Sequence, residues 1–540
     1  MLAITALAGC SAKKSSIDFI YPFDADVKSF DPQVASTSDE FLIIENCFEG
    51  LVRVNDDGTV MPGVAEKWSI SDDGLTYTFN LRQDAKWNID TKEDDEEDDS
   101  RIKLVGSGFN TNVTANDFVF ALRRAAEKNT DCPLFSSISN IVNALEIHSG
   151  KADSGKLGVK AIDSYTLEIK LSSPDDAFLN VLSTAVAMPC NEEFFNATKG
   201  RYGLGKEYSL FNGQFYLSSI LERSYILKNN DLYCGDYPSK ISDITLKITD
   251  EDTEIAKNLK SGYFDAAYIT GDEYEELKDS GISAINYTDK TLAFVLNKNN
   301  ILFTEKKLRQ ALCLSISDIS LDNVEHLNRA TGLTPPSCII GSTPANEALG
   351  SINPKQNTEK AKELWREGLK EIGASRADFT VITTAQYEPY VKQLVQGIQA
   401  SIGQISSYGD DEKTISFSLK ISVLSNEEYE AALAKGEYDI AFCSFKAVST
   451  NALSFLDDII SSGCLGEADD AEKALKAAQS AKATKLIDAV RKCEKAILSD
   501  YSVKPVLYES SYYAQAKGVS SVQFHPGSGR VCFVYAQRQD

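Results

Sequence analysis

Three histidines, His148, His326 and His525, are all that this 540-residue chain offers for imidazole chemistry. No HExxH places two of them on one helix face around a metal. A nucleophilic serine would need a strained GxSxG elbow, and a phosphate cradle a GxxxxGK[ST] loop; neither occurs. Ser11 and Lys14 have the S-x-x-K spacing of a penicillin-binding nucleophile, but they stand in a polar stretch beside an apolar one, and the spacing is coincidental. Eleven cysteines make no CxxC, and apart from Cys10 the nearest pair, Cys443 and Cys464, is 21 residues apart. Zinc knuckles and thioredoxin-like motifs are therefore absent. Several cysteines sit in apolar runs such as AFCSF and RVCFVY, where a thiol behaves as a small hydrophobe. Buried free thiols are the expectation, with up to five disulfides the alternative. The seven acidic residues Glu93–Asp99 lack the spaced ligands and turn glycine of a calcium loop, and such a run repels itself into solvent. No metal site, cofactor or catalytic set is expected. The polar residues point to binding.

The N-terminus, MLAITALAGCSAKKSS, reads as an apolar run that stops at a cysteine. It is too short to span a bilayer, which takes about 20 apolar residues, and fits a secretory h-region of roughly 7–15. Leu7-Ala8-Gly9-Cys10 resembles the lipobox of bacterial lipoproteins, which implies Cys10 as the lipid-attachment residue and 1–16 as signal and tether. No Lys or Arg precedes the apolar run, a departure from that pattern, and the true start is expected upstream. The protein is then expected on the outer face of the cell membrane, held by its lipid. Two acyl chains hold durably, each buried methylene contributing about 0.8 kcal/mol.

With 43% hydrophobic and 25% charged residues the chain has the composition of a globular protein, long enough for two to four domain-sized units. Its 55 basic and 79 acidic residues give a formal net charge of −24, which argues against nucleic acid as a partner. IDFIYPF reads as a strand, Asp31-Pro32 as a turn, and SDEFLIIENCFEGL as a helix with Ser38 as N-cap. LVRVNDDGTV and KWSISDDGLTYTFNLRQDAKW read as hairpins, and Thr114 caps the amphipathic ANDFVFALRRAAEK. From residue 239 strands alternate with helices of 10–15 residues, the pattern of an α/β domain with a mostly parallel sheet.

Several stretches in order resemble the bacterial extracellular solute-binding proteins of family 5, which include the oligopeptide- and dipeptide-binding lipoproteins of ABC importers. They are SFDPQ, FEGLVRVNDDGTVMPGVAEKWSISDDGLTYTFNLRQDAKW, VTANDFVFALRR, FNGQFYLSS, LKSGYFDAAYI, LRQALCLSISD, TGLTPPS, YDIAFCSF and YESSYYAQAKGV. The resemblance implies a two-lobed periplasmic-binding-protein-like type II fold with a β-rich subdomain in the first lobe. That lobe would comprise 17–49, 160–238 and 509–540, the inserted subdomain 50–159, and the second lobe 239–508. The implied role is a monomeric, membrane-anchored subunit that captures peptides by hinge closure and hands them to the ABC transporter permease.

In peptide-binding relatives the ligand lies extended between two segments, a form of strand addition. The resemblance places Ser36, Thr37 and Ser38 in one segment and Phe445, Lys446 and Val448 in the other. The family pattern has an aspartate for the ligand's amine where this chain has Val448. Burying an ammonium without its carboxylate costs about 3–5 kcal/mol. Either another acid takes over, with Asp457 and Asp458 as substitutes, or the ligand carries no free α-amine. The alternatives are the same architecture binding an oligosaccharide or metal chelate, a sensory receptor without transport, and an extracellular hydrolase.

Overall fold

The alternation in DFIYPF makes Asp18–Phe23 a strand whose Phe19, Tyr21 and Phe23 face inward, as a period of two requires. A computed structural model describes the chain except residues 1–17, 24–26, 56–57, 90–98, 176, 251–252, 322–323, 342, 404–406, 409–412, 415, 448–449, 482, 526–529 and 540. Cys10 with the signal and tether, Val448, and Glu93 to Asp98 therefore lie outside the described residues. Strand Asp18–Phe23 pairs in parallel with Asp243–Ile248, and Ser224–Asn229 and Phe215–Leu221 complete an antiparallel series beyond it. The sequence reading puts 239–508 in the second lobe, whereas Asp243–Ile248 is a central strand of this first sheet. Its DITLKI pattern is that of any half-buried strand, and nothing local tells which sheet it joins.

The hairpins anticipated from the Asp-Asp-Gly turns are present, Val52–Val54 with Val60–Pro62 and Ala65–Ile70 with Thr76–Leu81. The second hairpin continues into an antiparallel sheet with Thr166–Lys170 and Val159–Asp163, so the inserted β-rich unit runs past 159. Helix Ala115–Ala126 packs on this sheet. Its Thr114–Asp117 capping box is formed, and Phe118, Ala121, Leu122 and Ala125 make the buried stripe.

A second sheet, ordered Ala266–Ile269, Val503–Gln515, Ser283–Leu296, Ile440–Lys446, Arg376–Thr384 and Ser416–Leu424 with Leu327–Arg329 added on Val503–Gln515, extends from the first lobe, where Ala266, Ala267 and Ile269 pack, into the second, whose core it carries. Only the last three strands of that order run parallel to each other; the other pairings are antiparallel. The expectation of a mostly parallel sheet is thus corrected. Strands flanked by crossover helices do pair in parallel, but the two longest strands carry the chain between the lobes in opposite directions. Helices Lys306–Ser315 and Thr358–Ile372 lie together over this sheet. Gly368 lets them approach, since a Cβ there would stand 2.7 Å from Leu308 Cδ2. The result is the two-lobed α/β periplasmic-binding fold.

Among the described residues every cysteine is a free thiol, buried except Cys234 and Cys464, which are half-buried. No described helix is long and apolar enough to cross a membrane.

Candidate functional site

Strands Ser283–Leu296 and Val503–Gln515 pair with each other along almost their whole length. One end, with Tyr287, Tyr512 and Tyr513, belongs to the core that holds Phe19, Phe48 and Leu227. The other end, with Leu292, Phe294 and Leu507, belongs to the core of Trp365 and Phe379. The two strands thus run from one core to the other. At the crossing the register slips between Thr288 and Lys290, so that Asp289 is the extra residue of a β-bulge.

The crossing is polar. The Thr288 and Ser510 hydroxyls are 2.8 Å apart, bridging the strands. Glu509, 6% exposed, accepts hydrogen bonds from Tyr387 at 3.0 Å and Gln386 at 3.4 Å, and Lys290 lies 3.2 Å from its carboxylate. Asp289, 1% exposed, accepts from the Ser511 hydroxyl at 3.2 Å through Oδ1. Its Oδ2 has no hydrogen-bond partner among the described residues. Burial pushes the Asp289 carboxyl above the usual carboxylate range, against the pull of Lys446 and then of Lys290.

Of the residues expected to touch ligand, Phe445 and Lys446 end strand Ile440–Lys446, which pairs with Ser283–Leu296 through Lys290↔Lys446 and Thr291↔Phe445. Phe445 is half-buried and Lys446 exposed, its ammonium 5.6 Å from the centre of the Tyr268 ring. The next residue, Ala447, donates its backbone N–H to the Asp289 carbonyl at 2.8 Å. Ser36, Thr37 and Ser38 are exposed at the start of helix Ser38–Cys47 in the first lobe. The N-cap is Thr37 and not Ser38, because Thr37 forms the capping box with Glu40. Buried Glu40 also accepts backbone N–H bonds from Lys28, Ser29, Ser36 and Thr37, so those donors are spent inside the protein.

Asp457 and Asp458, the acids offered as substitutes, both lie on helix Ala452–Ser461. Asp457 accepts from Ser461 and Gln479, toward helix Asp469–Gln479, and Asp458 is exposed on helix Ala452–Ser461. Partial burial of its carboxyl, and then the neighbouring Asp457, push Asp458 up to about 6. The acids gathered at the crossing are Asp289 and Glu509, which pattern reading missed, since a lone acid in a strand looks like a solvated one. A third, Glu494, is fully buried and holds the TGLTPPS loop. It accepts from the Leu333 N–H and the Thr334 hydroxyl at 2.5 Å and from the Thr334 N–H at 3.3 Å.

The histidines do not converge. His148 stacks on Phe135 at 3.7 Å, His326 is buried against Gly271, and His525 lies in strand Gln523–His525. Among the described residues no group of three or more His, Cys, Asp or Glu is placed to hold a metal ion. A separate groove of about 730 Å³ lies within the first lobe, between helices Ala115–Ala126 and Glu192–Ala197. Its floor is the Arg124–Asp31 ion pair, with Arg124 4.1 Å from the Phe195 ring centre.

Residues 59–466 match the family described as bacterial extracellular solute-binding proteins, family 5 Middle. The oligopeptide-binding protein AmiA of Streptococcus pneumoniae is 29% identical over 346 residues, 58% of this chain and 50% of AmiA, so the match spans about half the length of that relative. The dipeptide-binding protein DppE of Bacillus subtilis is 23% identical over 517 residues, covering 92% of this chain and 88% of DppE. In fold, the chain is similar to the substrate-binding domain of an oligopeptide ABC transporter from Bacillus anthracis, with a TM-score of 0.75 at 23% identity over 97% of this chain and 99% of that one.

Proposed function

Because this chain belongs to the bacterial extracellular solute-binding proteins of family 5, we propose that it is the substrate-binding subunit of an ABC importer and that its cargo is peptide. The observation that carries this reading is the crossing of two continuous strands between two separate cores, with polar side chains gathered where they pass. Such a joint lets the lobes rotate about it and close around a ligand. The named relatives, AmiA and DppE, are oligopeptide- and dipeptide-binding proteins.

An extended peptide would lie between the segment at Ser36–Ser38 and the segment from Phe445 to Val448. Since Glu40 occupies the N–H groups of Ser36 and Thr37, the first segment has carbonyls and hydroxyls left to offer. The second lobe would supply Lys446 and the aromatic face of Phe445. In this reading Cys10 carries the lipid, the monomer stands on the outer face of the membrane, and the closed form is what the permease accepts. Catalysis has no part in it.

Mass spectrometry of whatever copurifies in the cleft tests the cargo. Peptides are the expected result; a sugar or a metal chelate as the sole occupant would overturn it. Cys10→Ser is expected to release the protein from membranes with ligand binding intact.

A further inference from the structure

A carboxylate shut away from water with one oxygen unbonded is costly unless something donates to it. Asp289 is such a group, 1% exposed, its Oδ1 given to Ser511 and its Oδ2 to nothing among the described residues. The bulge sets its place, being the device by which a strand re-aims one side chain. Its carbonyl is bonded to Ala447 N–H, so the carboxylate is fixed beside the end of strand Ile440–Lys446.

Neither nearby cation bonds to it. Lys290 is engaged with Glu509, and Lys446, the cation that acts on Asp289 more strongly, holds its ammonium over the Tyr268 ring. Lys446 is exposed and long, and only that ring contact holds its ammonium among the described residues. It can leave.

We propose that Oδ2 of Asp289 receives a primary ammonium of the bound ligand, with Lys446 as the displaceable cover above it. An ammonium is a compact charge with three donors, and it suits a single open carboxylate oxygen. A guanidinium binds best as a fork on both oxygens, and Oδ1 is already taken. A ligand carbonyl would meet the carboxylate oxygen to oxygen. Exchange of one ammonium for another also leaves the charge of the Asp289, Glu509, Lys290 and Lys446 cluster unchanged. The inference rests on the peptide reading above.

The test offers the intact protein lysine-free pentapeptide pools, half of each pool N-acetylated, together with an acetylated pool containing lysine, and reads the captured peptides by mass spectrometry. Free over acetylated lysine-free peptides should be enriched at least about tenfold, the ratio that 1.4 kcal/mol gives. Asp289→Asn should lower the ratio below about threefold, and Lys446→Met should raise it. Enrichment confined to the acetylated lysine pool would support the same carboxylate with a side-chain ammonium as its partner. Equal capture of free and acetylated forms, with or without lysine, by the unmutated protein overturns the inference while leaving the peptide reading standing. An unchanged ratio in folded Asp289→Asn protein does the same. Capture of no peptide in any form overturns both. Should Asp289→Asn not fold, the ratio in the unmutated protein decides alone.

Discussion

At the scale of single residues, the buried acids divide the work between holding backbone and meeting ligand. Glu494 holds a loop: three donors from Leu333 and Thr334 end on its carboxylate. Glu494→Ala leaves them facing a void, and stability is expected to fall by about 3–5 kcal/mol, read from urea denaturation. Asp117 gives a pH signature. Burial, against its bonds from Thr114 and Asn191, pushes it up to about 6. The ordinary value is about 3.9, so the folded protein binds the proton more tightly than the unfolded chain. The stabilising contribution is complete below about pH 4 and is lost as pH rises through about 6. The stability difference between the unmutated protein and Asp117→Asn is expected to fall by about 3 kcal/mol over that window, in denaturation curves taken at several pH values. None of these roles was legible in the sequence. Asp289, Glu494 and Asp117 have the spacing of solvated acids, and only the tertiary fold turns them inward. Phe445 and Lys446 were named only through the family resemblance, which places the segment after YDIAF beside the ligand; an aromatic and a cation at the end of a strand carry no such signal by themselves.

Among elements, the start of helix Ser38–Cys47 is the most constrained. Glu40 ties its own N-terminus to the strand-like stretch before it, through four backbone donors. Thr37→Ala removes only the cap, for about 1 kcal/mol. Glu40→Ala frees all four, and amide exchange at Lys28, Ser29, Ser36 and Thr37 is expected to quicken about tenfold or more, since a bond to a charged acceptor contributes about 1.5–3 kcal/mol. The acidic run is anchored at its end, where Asp99 grips Arg101 through both oxygens and its carbonyl accepts the Ile102 N–H. Helices and hairpins were readable here because their signals are local: Thr114 as a cap ahead of an amphipathic stretch, and Asp-Asp-Gly between two short alternating runs. Strand direction was not, because TLAFVLN shows one half of a 14-residue strand and nothing in it says that its partner, Val503–Gln515, comes back from the end of the chain.

For the whole molecule, the thiols are a measure of closure. Burial pushes Cys190 up to about 12 and Cys132 to about 11, so neither is a nucleophile in the folded state. Native alkylation at pH 8 is expected to be slow at every described cysteine, with reaction of the full set only on unfolding, and a reductant should leave the melting temperature unchanged. A last consequence concerns the order in which the parts assemble. Asn46 donates to the Val531 carbonyl and accepts from Phe533 N–H, a contact spanning 487 positions, and the Phe19 ring lies 5.1 Å from that of Phe533. The first lobe is therefore left unfinished until the last strands arrive, while most of the second lobe is a continuous stretch with contacts of its own. Closing so long a loop is slow, and the exposed edge of Asp18–Phe23 must wait through it. The nascent protein would then cross its folding barrier with the late lobe leading, so that removal of the final ten residues harms the half of the molecule made first.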